Sequence, residues 1–308
     1  MSEQHMEVEI LIIGAGPGGM AAGIYAGRAR RKSVILDKSF PGGQLAFTAH
    51  IENYPGFLKG NAGMDLANQM AEQAQHFGVE IRTEEVRGIE MDNRRFVVTT
   101  DRGVIRADAV IVATGAKWKK LDVPGEEEFS GRGVSYCGTC DSMLYMNKEI
   151  VVVGGGDTAL DEALFLTRFV KKLHIIHRRD QLRAEKILQE RAFADPKIGF
   201  IWDSVVTKIT GGNHVDAVEL LNKKTGETSV FSTEGVFIFV GNIPNIEFLP
   251  ESVKKNEQGQ IITNLRMETS VPGLYAVGDV RDQSIRQVVA ATGDGATAAW
   301  YADKYLEK

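Results

Sequence analysis

Two stretches of the chain repeat one pattern, in which a short apolar run leads into a glycine-rich turn and a helix of small residues follows. In the first stretch, residues 7–13 are typical of a strand buried on both faces, and the turn is Gly14-Ala15-Gly16-Pro17-Gly18-Gly19. The predicted helix covers residues 20–29, and a second strand, residues 33–36, ends at Asp37. This order of strand, turn, helix, strand and acid predicts a dinucleotide-binding unit.

Each glycine of the first turn has a physical role in holding a nucleotide. Gly14 permits the tight turn, Gly16 lets the backbone approach a pyrophosphate, and Gly19 lets the helix pack close to the strand. The carboxylate of Asp37 can hold the diol of a ribose, and an acid at this place disfavours a 2′-phosphate. The expected occupant is therefore FAD or NAD.

The second stretch begins with a strand at residues 149–153 and the turn Gly154-Gly155-Gly156-Asp157-Thr158-Ala159, and a helix is predicted over residues 159–169. After the next strand, at residues 173–176, the acid of the first stretch is replaced by His177, Arg178, Arg179 and, a little later, Arg183. Guanidinium groups there match the 2′-phosphate of NADPH, which an acid would repel. The alternative is an ordinary cluster of arginines on a solvated surface.

The segments that follow the two turns also correspond. A hairpin-like stretch at residues 95–105 leads to a strand at 107–116, and a strand at 234–241 takes the equivalent place after the second turn. This correspondence indicates an internal duplication. A final strand, residues 273–279, has no glycine-rich turn of its own and precedes a helix predicted over 286–300. We expect this strand to complete the first sheet, so that the second unit is inserted into the first.

Composition narrows the class of protein. The 308 residues are 43% hydrophobic and 25% charged, which suits a globular chain of about two domains. No apolar run is long enough to span a bilayer, and the first residues lack the basic and apolar regions of a signal peptide, so we expect a cytoplasmic protein and no membrane partner. The formal net charge of −5 gives no general basic field, which makes nucleic acid an unfavourable partner.

The chain contains two cysteines, Cys137 and Cys140, in the spacing C-x-x-C. This spacing suits a readily reduced disulfide at the start of a helix, where backbone N–H groups stabilise a thiolate. One alternative is half of a zinc site, but no second ligand pair completes it; the other is two buried, unreactive cysteines. Asp141 follows directly and can serve as a general acid or as the N-cap of a helix.

Two dinucleotide sites and one dithiol define a path for electrons if the first site holds a flavin. NADPH would reduce the flavin, the flavin would reduce Cys137–Cys140, and the dithiol would reduce a disulfide elsewhere. Asp279 follows the final strand and can accept a hydrogen bond from a flavin ribityl hydroxyl, while the N-terminal N–H groups of the next helix stabilise negative charge on the reduced ring.

In order and spacing these motifs resemble the low-molecular-weight, prokaryotic type of thioredoxin reductase, within the pyridine nucleotide-disulfide oxidoreductases. The resemblance covers essentially the whole chain. The motifs that carry it are Gly14-Ala15-Gly16-Pro17-Gly18-Gly19, Gly42-Gly43-Gln44-Leu45, Glu52-Asn53-Tyr54-Pro55-Gly56, Ala113-Thr114-Gly115, Cys137-Gly138-Thr139-Cys140-Asp141, Gly154-Gly155-Gly156-Asp157-Thr158-Ala159, His177-Arg178-Arg179 with Arg183, and Gly278-Asp279-Val280 with Arg286-Gln287.

The resemblance implies an α/β fold with two Rossmann-like, three-layer ββα domains. Residues 1–117 and 246–308 would bind FAD, and residues 118–245 would bind NADPH and carry the cysteines. The implied FAD residues are Gly14, Gly16, Gly19, Asp37, Lys38, Gly43, Gln44, Asn53, Thr114, Gly115, Gly278, Asp279, Arg286 and Gln287. The implied NADPH residues are Gly154, Gly156, Asp157, Thr158, His177, Arg178, Arg179 and Arg183. No metal is expected.

The resemblance also implies that oxidised thioredoxin is the partner, that Asp141 is the acid beside the disulfide, and that the chain forms a homodimer. One domain is expected to rotate on the other between half-reactions, about linkers at residues 117–125 and 241–250. Where the family often has an aromatic pair after the cysteines, this chain has Met143-Leu144, and Ser142 replaces a common glycine. The alternatives are a related flavoprotein that serves another thiol carrier, such as a glutaredoxin-like or peroxide-reducing partner, and a flavin-binding module without turnover.

Overall fold

A computed structural model of the chain describes residues 4–48 and 51–307. The first three residues, which belong to the stretch without signal-peptide features, lie outside this range. The chain divides into two compact units, Met1–Lys117 with Ile243–Lys308, and Trp118–Asn242. The second unit is inserted into the first, as the predicted fold class requires. Within the described residues no helix is both long and apolar enough to cross a membrane.

Strands and helices alternate at the start of each unit, and runs of consecutive strands follow. The strands are β1 (Gln4–Ile13), β2 (Ser33–Asp37), β3 (Glu80–Thr83), β4 (Val86–Asp92), β5 (Arg95–Thr100), β6 (Gly103–Val112), β7 (Ala116–Trp118), β8 (Val134–Ser135), β9 (Glu149–Gly154), β10 (Lys172–Ile176), β11 (Ile198–Ile201), β12 (Ser204–Gly211), β13 (Val215–Asn222), β14 (Thr228–Ser232), β15 (Val236–Phe239), β16 (Asn242–Pro244) and β17 (Leu274–Ala276). The α-helices are α1 (Pro17–Arg28), α2 (Gly63–His76), α3 (Gly138–Asp141), α4 (Asp157–Leu166), α5 (Lys186–Ala194) and α6 (Val288–Leu306).

The sheet of the first unit has the strand order β3-β2-β1-β6-β5-β4, and β17 adds to it beside β6. The last strand runs parallel to β6, with Leu274 opposite Val110, so it returns to the first unit as predicted. One prediction was wrong in detail. The end of the hairpin predicted at residues 95–105 and the separate strand predicted at 107–116 form one continuous strand, β6. Its first half pairs antiparallel with β5, and the whole of it pairs parallel with β1.

Small residues let two helices approach one face of this sheet. Ala22 and Ala26 of α1 and Ala298 and Ala302 of α6 are completely buried in a cluster with Ile10 and other strand residues. The predicted last helix covered residues 286–300, whereas α6 covers Val288–Leu306. Its start was wrong because the backbone of Arg286 is left-handed, with φ of 58°, and therefore cannot belong to the first turn of an α-helix.

The second unit has three layers. Its central sheet is parallel, in the order β11-β10-β9-β15-β8, and the antiparallel strands β12, β13 and β14 form a separate sheet. Val218 and Leu220 of that sheet are buried with Val151 and Ile238 of the central one, whereas helices α4 and α5 cover the opposite face. The predicted three-layer ββα fold is confirmed.

An ion pair holds the loop after β17 to helix α6. Asp294 accepts hydrogen bonds at its Oδ2 from Arg281 Nε at 2.7 Å and from Gly278 N at 3.0 Å, and at its Oδ1 from Arg281 Nη2 at 3.0 Å. The Asp294 residue is 8% exposed, so water competes little with this two-pronged pairing. Both ends of the segment that carries Asp279 are thereby fixed.

We expect Asp294→Ala to lower the free energy of unfolding of the first unit by about 3 kcal/mol, because it leaves the Arg281 guanidinium and an N–H group without their partner. Urea denaturation followed by circular dichroism would measure the change. Glu307→Ala, one residue after the end of the same helix, is the matched control: it removes the exposed ion pair between Lys304 and Glu307, which water screens, so it should change the free energy of unfolding much less. Equal effects of the two substitutions would contradict the assignment.

Candidate functional site

The first glycine turn is closed on the protein side and open on the other. Gly14 has φ of 106°, and a Cβ there would stand 2.3 Å from the carbonyl oxygen of Ala113. A Cβ at Gly19 would stand 1.8 Å from the oxygen of Gly14. At Gly16, in contrast, a Cβ would meet no atom within 4 Å. Packing therefore explains two of the glycines, and the third leaves the backbone accessible to a ligand.

Asp37 stands at the end of β2 and is joined to this turn. Its Oδ2 accepts a hydrogen bond from the backbone N–H of Ala15 at 2.7 Å, and its Oδ1 accepts one from Ser39 N at 2.9 Å. The carboxylate is therefore held beside the glycine turn by backbone N–H groups. Lys38, the next residue, is exposed.

Other predicted residues of the first unit are brought together in pairs. Gly43 and Gln44 lie in a short 3-10 helix, Gly43–Phe47, and Gln44 Nε2 donates to the oxygen of Ala116 at 2.6 Å. Asn53 Nδ2 donates to Gln287 Oε1 at 2.9 Å. Each of these two contacts joins segments of the first unit that are distant in sequence.

Thr114 and Gly115 have a partner that the sequence did not reveal. Thr114 Oγ1 donates to the carbonyl oxygen of Asn245 at 2.7 Å, and Asn245 Nδ2 donates back to the oxygen of Thr114 at 2.9 Å. Asn245 N also donates to the oxygen of Gly115. No motif surrounds Asn245, so only the fold shows that it supports this turn.

Asp279 is a largely buried carboxyl in the loop between β17 and α6. Burial raises its pKa, and a hydrogen bond from Ser284 Oγ at 3.2 Å and the charge of Arg286 oppose that shift. The left-handed backbone of Gly278, with φ of 69°, turns the chain just before it. A buried carboxyl with one hydroxyl partner has remaining capacity to accept hydrogen bonds.

The second glycine turn repeats the geometry of the first. A Cβ at Gly154 would stand 2.4 Å from the oxygen of Phe239, whereas a Cβ at Gly156 would meet nothing within 4 Å. A Cβ at Gly155 would stand 2.4 Å from Nδ1 of His177, which is buried and whose pKa is lowered chiefly by that burial. His177 therefore packs beneath the turn as a neutral ring.

The arginines after β10 surround a pocket of about 410 Å³. Arg178, Arg179 and Arg183 are exposed and make no ion pair within the described part of the chain. The lining residues are Arg178, Arg179, Asp180, Gln181, Leu182, Arg183, Asp203, Lys223 and Lys224. Lys224 Nζ pairs with Asp180 at 2.8 Å and with Asp203 at 3.1 Å, and the five basic side chains of the lining outnumber these two acids. The pocket is therefore cationic.

Two hydrogen bonds, one between backbone groups and one to a side chain, tie the loop that carries the arginines to the second turn. Arg183 N donates to the oxygen of Gly155 at 2.7 Å, and Asp157 Oδ1 accepts from Glu185 N at 2.7 Å. Thr158, next to Asp157, is exposed. Lys223 and Lys224 were missed by sequence reasoning because a turn between β13 and β14, far along the chain, supplies them.

The two cysteines form a disulfide, with their Cα atoms 5.4 Å apart, at the start of helix α3. Cys140 is exposed and Cys137 is half-buried, and Cys137 Sγ accepts a hydrogen bond from Cys140 N at 3.1 Å. The alternative of two buried, unreactive cysteines does not match this arrangement, because Cys140 is exposed. Among the described residues no group of three or more His, Cys, Asp or Glu is placed to hold a metal ion.

Asp141 faces a serine that sequence reasoning did not single out. Ser135 Oγ donates to Asp141 Oδ2 at 2.7 Å and accepts from Cys137 N at 3.1 Å, which links the acid to the first cysteine through one hydroxyl. The alternative in which Asp141 caps a helix is not observed, because its side chain makes no capping hydrogen bond to the 3-10 helix Ser142–Tyr145.

A family model matches residues 8–295, and its description is pyridine nucleotide-disulphide oxidoreductase. The chain belongs to this family. Thioredoxin reductase of Bacillus subtilis is 46% identical to it over 310 residues, which cover 100% of this chain and 97% of the relative. The crystal structure of Lactococcus lactis thioredoxin reductase in its FR conformation is 45% identical, with a TM-score of 0.95, and covers 97% of this chain and 99% of that one.

A more distant member has nearly the same fold. The structure of the thioredoxin reductase of T. acidophilum is 36% identical, has a TM-score of 0.94 and covers 98% of this chain and 99% of that chain. The predicted resemblance of this pyridine nucleotide-disulphide oxidoreductase to thioredoxin reductases is therefore confirmed, as is its fold class.

Beneath the disulfide of this family member lies Glu162, a residue of α4 that no motif indicated. Burial raises its pKa to about 7, and the backbone N–H groups of Gly138 and Thr139 oppose the shift. Its Oε2 is fully buried and has no hydrogen-bond partner within the described residues. On the sequence it is one more acid in a helix, beside Asp161, and only the structure shows which of the two points inward.

We expect Glu162→Gln to remove part of the pH dependence of stability. The unfolded chain ionises this carboxyl near its usual pKa of 4.5 and the folded chain near 7, so unfolding releases a proton between these values. The contribution of the Glu162 carboxyl to the free energy of unfolding is thus greatest below pH 4.5 and falls by up to about 3 kcal/mol as the pH rises through 7. Urea denaturation at pH 5 and pH 8 tests this, and Glu190→Gln, at an exposed acid of α5, is the control that should keep the wild-type difference.

Proposed function

We propose that the chain is an NADPH-dependent, FAD-containing thioredoxin-disulfide reductase. The observation that carries the proposal is the partly exposed Cys137–Cys140 disulfide, which shares the second unit with a cationic pocket beside a glycine turn. A site for a phosphorylated nucleotide and a disulfide that solvent reaches are the two ends of such a reaction. Full-length relatives named thioredoxin reductase support the choice of partner.

The residues of the first unit fit FAD. Gly16 leaves the turn open for a pyrophosphate, Asp37 is held where a ribose diol would bind, and the buried Asp279 can accept further hydrogen bonds. The proposed FAD residues are Gly14, Gly16, Gly19, Asp37, Lys38, Gly43, Gln44, Asn53, Thr114, Gly115, Gly278, Asp279, Arg286 and Gln287. When bound, FAD supplies a ring that accepts hydride from a nicotinamide and passes two electrons to a disulfide.

The residues of the second unit fit NADPH. Gly156 leaves its turn open, and Arg178, Arg179 and Arg183 present planar cations that suit a 2′-phosphate. Lys223 adds a further positive charge to the same pocket. Gly154, Asp157 and Thr158 form the turn and His177 supports it.

The chain's own chemistry is disulfide exchange. In the reduced pair one thiolate attacks a sulfur of the partner's disulfide and releases a partner thiolate; the second cysteine then attacks the mixed disulfide. Cys137–Cys140 is thereby re-formed as the partner gains two electrons and two protons. We assign to Asp141, oriented by Ser135, the transfer of a proton to the departing thiolate.

Met143 and Leu144 follow helix α3, and their side chains are 65% and 64% exposed. They offer an apolar surface to which the partner can bind. A glutaredoxin-like or peroxide-reducing partner is the second candidate, because this pair differs from the family's usual aromatic residues. A panel of such proteins assayed with NADPH would distinguish the two. Domain rotation, the homodimer and a cytoplasmic location stay predictions.

We expect the double substitution Arg178→Ala with Arg179→Ala to weaken the binding of NADPH by a few kcal/mol, at about 1.5–3 kcal/mol for each charged hydrogen-bonding group. The binding of NADH should change little. The yellow protein should be bleached anaerobically by NADPH far more readily than by NADH, and titration gives both affinities. Arg168→Ala, an exposed arginine outside the pocket, is the control. Equal losses for the two nucleotides would contradict the assigned donor.

Cys140→Ser should leave the bleaching of the flavin by NADPH intact and abolish reduction of thioredoxin, because disulfide exchange needs both sulfur atoms. Thr139→Ser, which alters the residue between the cysteines and keeps both sulfurs, should retain turnover. Stopped-flow absorbance and a coupled thioredoxin assay measure the two half-reactions. Thioredoxin reduction by the Cys140→Ser protein would refute the relay.

A further inference from the structure

The carboxyl of Glu162 lies at the start of α3, beside the residues that follow Cys137. Cys140 N donates to Cys137 Sγ at 3.1 Å, whereas Glu162 Oε2 is buried against Gly138 and has no hydrogen-bond partner within the described residues. The backbone N–H groups of this segment are the ones that would stabilise a thiolate on the cysteine that precedes the helix. An ionised carboxyl beside the same segment opposes that stabilisation.

Glu162 is built into this position. A Cβ at Gly138 would stand 2.2 Å from Glu162 Oε2, so the carboxyl occupies the space of a side chain at the first residue of α3. Leu166, one turn further along α4, lies against the same glycine at 3.3 Å. The carboxyl is therefore enclosed between two helices of the second unit, directly under the disulfide segment.

No positive group neutralises this carboxyl within the described residues. The charged and titratable groups on the elements packed around it are Asp157 and Asp161 on α4, the cysteines, Asp141 and Tyr145 on and beside α3, Lys186, Glu190 and Arg191 on α5, and Glu149 at the start of β9. Of these, Asp161 acts on Glu162, by repulsion. An ionised Glu162 thus lies against the start of α3 with no cation lowering its pKa.

We propose that Glu162 is a positioning residue that keeps the reduced Cys137–Cys140 pair a strong electron donor. This inference rests on the redox role proposed for the pair. A dithiol whose thiolate is strongly stabilised is a poor reductant, because stabilisation of the reduced form raises the reduction potential. Glu162 has the opposite effect: its carboxylate, buried without a partner beside the segment that carries the cysteines, repels the thiolate, which favours the disulfide and the release of two electrons to the partner.

The equilibrium with dithiothreitol measures this effect directly. Dithiothreitol supplies two electrons and two protons to Cys137–Cys140 and closes to its own cyclic disulfide, so the reaction needs neither NADPH nor thioredoxin. In the purified yellow protein, kept anaerobic at pH 7.5, Glu162→Gln should shift the equilibrium constant toward the protein dithiol by about threefold or more. Acid quenching, alkylation and mass spectrometry of the peptide that holds both cysteines give the reduced fraction.

The pH dependence of alkylation by iodoacetamide is the second readout. Thiolate sulfur displaces iodide, so the rate follows ionisation, and Glu162→Gln should move the midpoint for the more reactive cysteine to lower pH. Glu162→Asp, which restores the charge, should return both quantities toward the wild type. Glu162→Ala removes the charge with a smaller side chain and replaces Glu162→Gln if that variant does not fold.

Asp161→Asn is the matched control, since it removes an exposed carboxylate from the neighbouring position of the same helix. It should change the equilibrium constant less than Glu162→Gln does. An unchanged or smaller equilibrium constant in both Glu162→Gln and Glu162→Ala would overturn the inference. Because no nucleotide takes part, that outcome is separate from a failure of NADPH or thioredoxin to react, which would count against the proposed function instead.

Discussion

Both units depend on the same close approach between a glycine turn and the end of a neighbouring strand. A side chain at Gly14 would collide with the carbonyl oxygen of Ala113, after β6, and one at Gly154 would collide with that of Phe239, in β15. The two distances, 2.3 and 2.4 Å, are almost equal. No residue with a Cβ can satisfy this constraint, and the parallel strands, the first helix and the ligand face are all arranged around it.

The same constraint shapes both glycine turns, but it does not determine the charge beside them. That charge comes from another loop in each unit. Because the turn is pressed against the strands, its outer side at Gly16 and at Gly156 remains open. The charge beside each turn comes from the loop after the second strand of its unit. In the first unit Asp37 is bound to the turn itself, through Ala15 N, and in the second Arg183 N is bound to Gly155. The two loops therefore take equivalent places beside their turns, and they carry opposite charges.

The sequence was most informative where the site is contiguous. Motifs of a few residues identified both turns, the disulfide and the basic loop, because their geometry is local and demands particular residue types. Asn245, Lys223 and Ser135 could not be found in this way, since each meets its partner only through the fold. The start of α6 was missed for a different reason: nothing in the residue type of Arg286 indicates its left-handed backbone.

Helix α4 connects the two functions of the second unit. It begins at Asp157, beside the open glycine of the nucleotide turn, and its Glu162 lies against the helix of the disulfide. Because this helix is packed on a buried parallel sheet, the second glycine turn and the cysteines belong to one compact unit. We therefore expect them to move together. If both are to react with one flavin ring, the second unit must move as a whole, which is the physical reason for expecting rotation in a protein built this way.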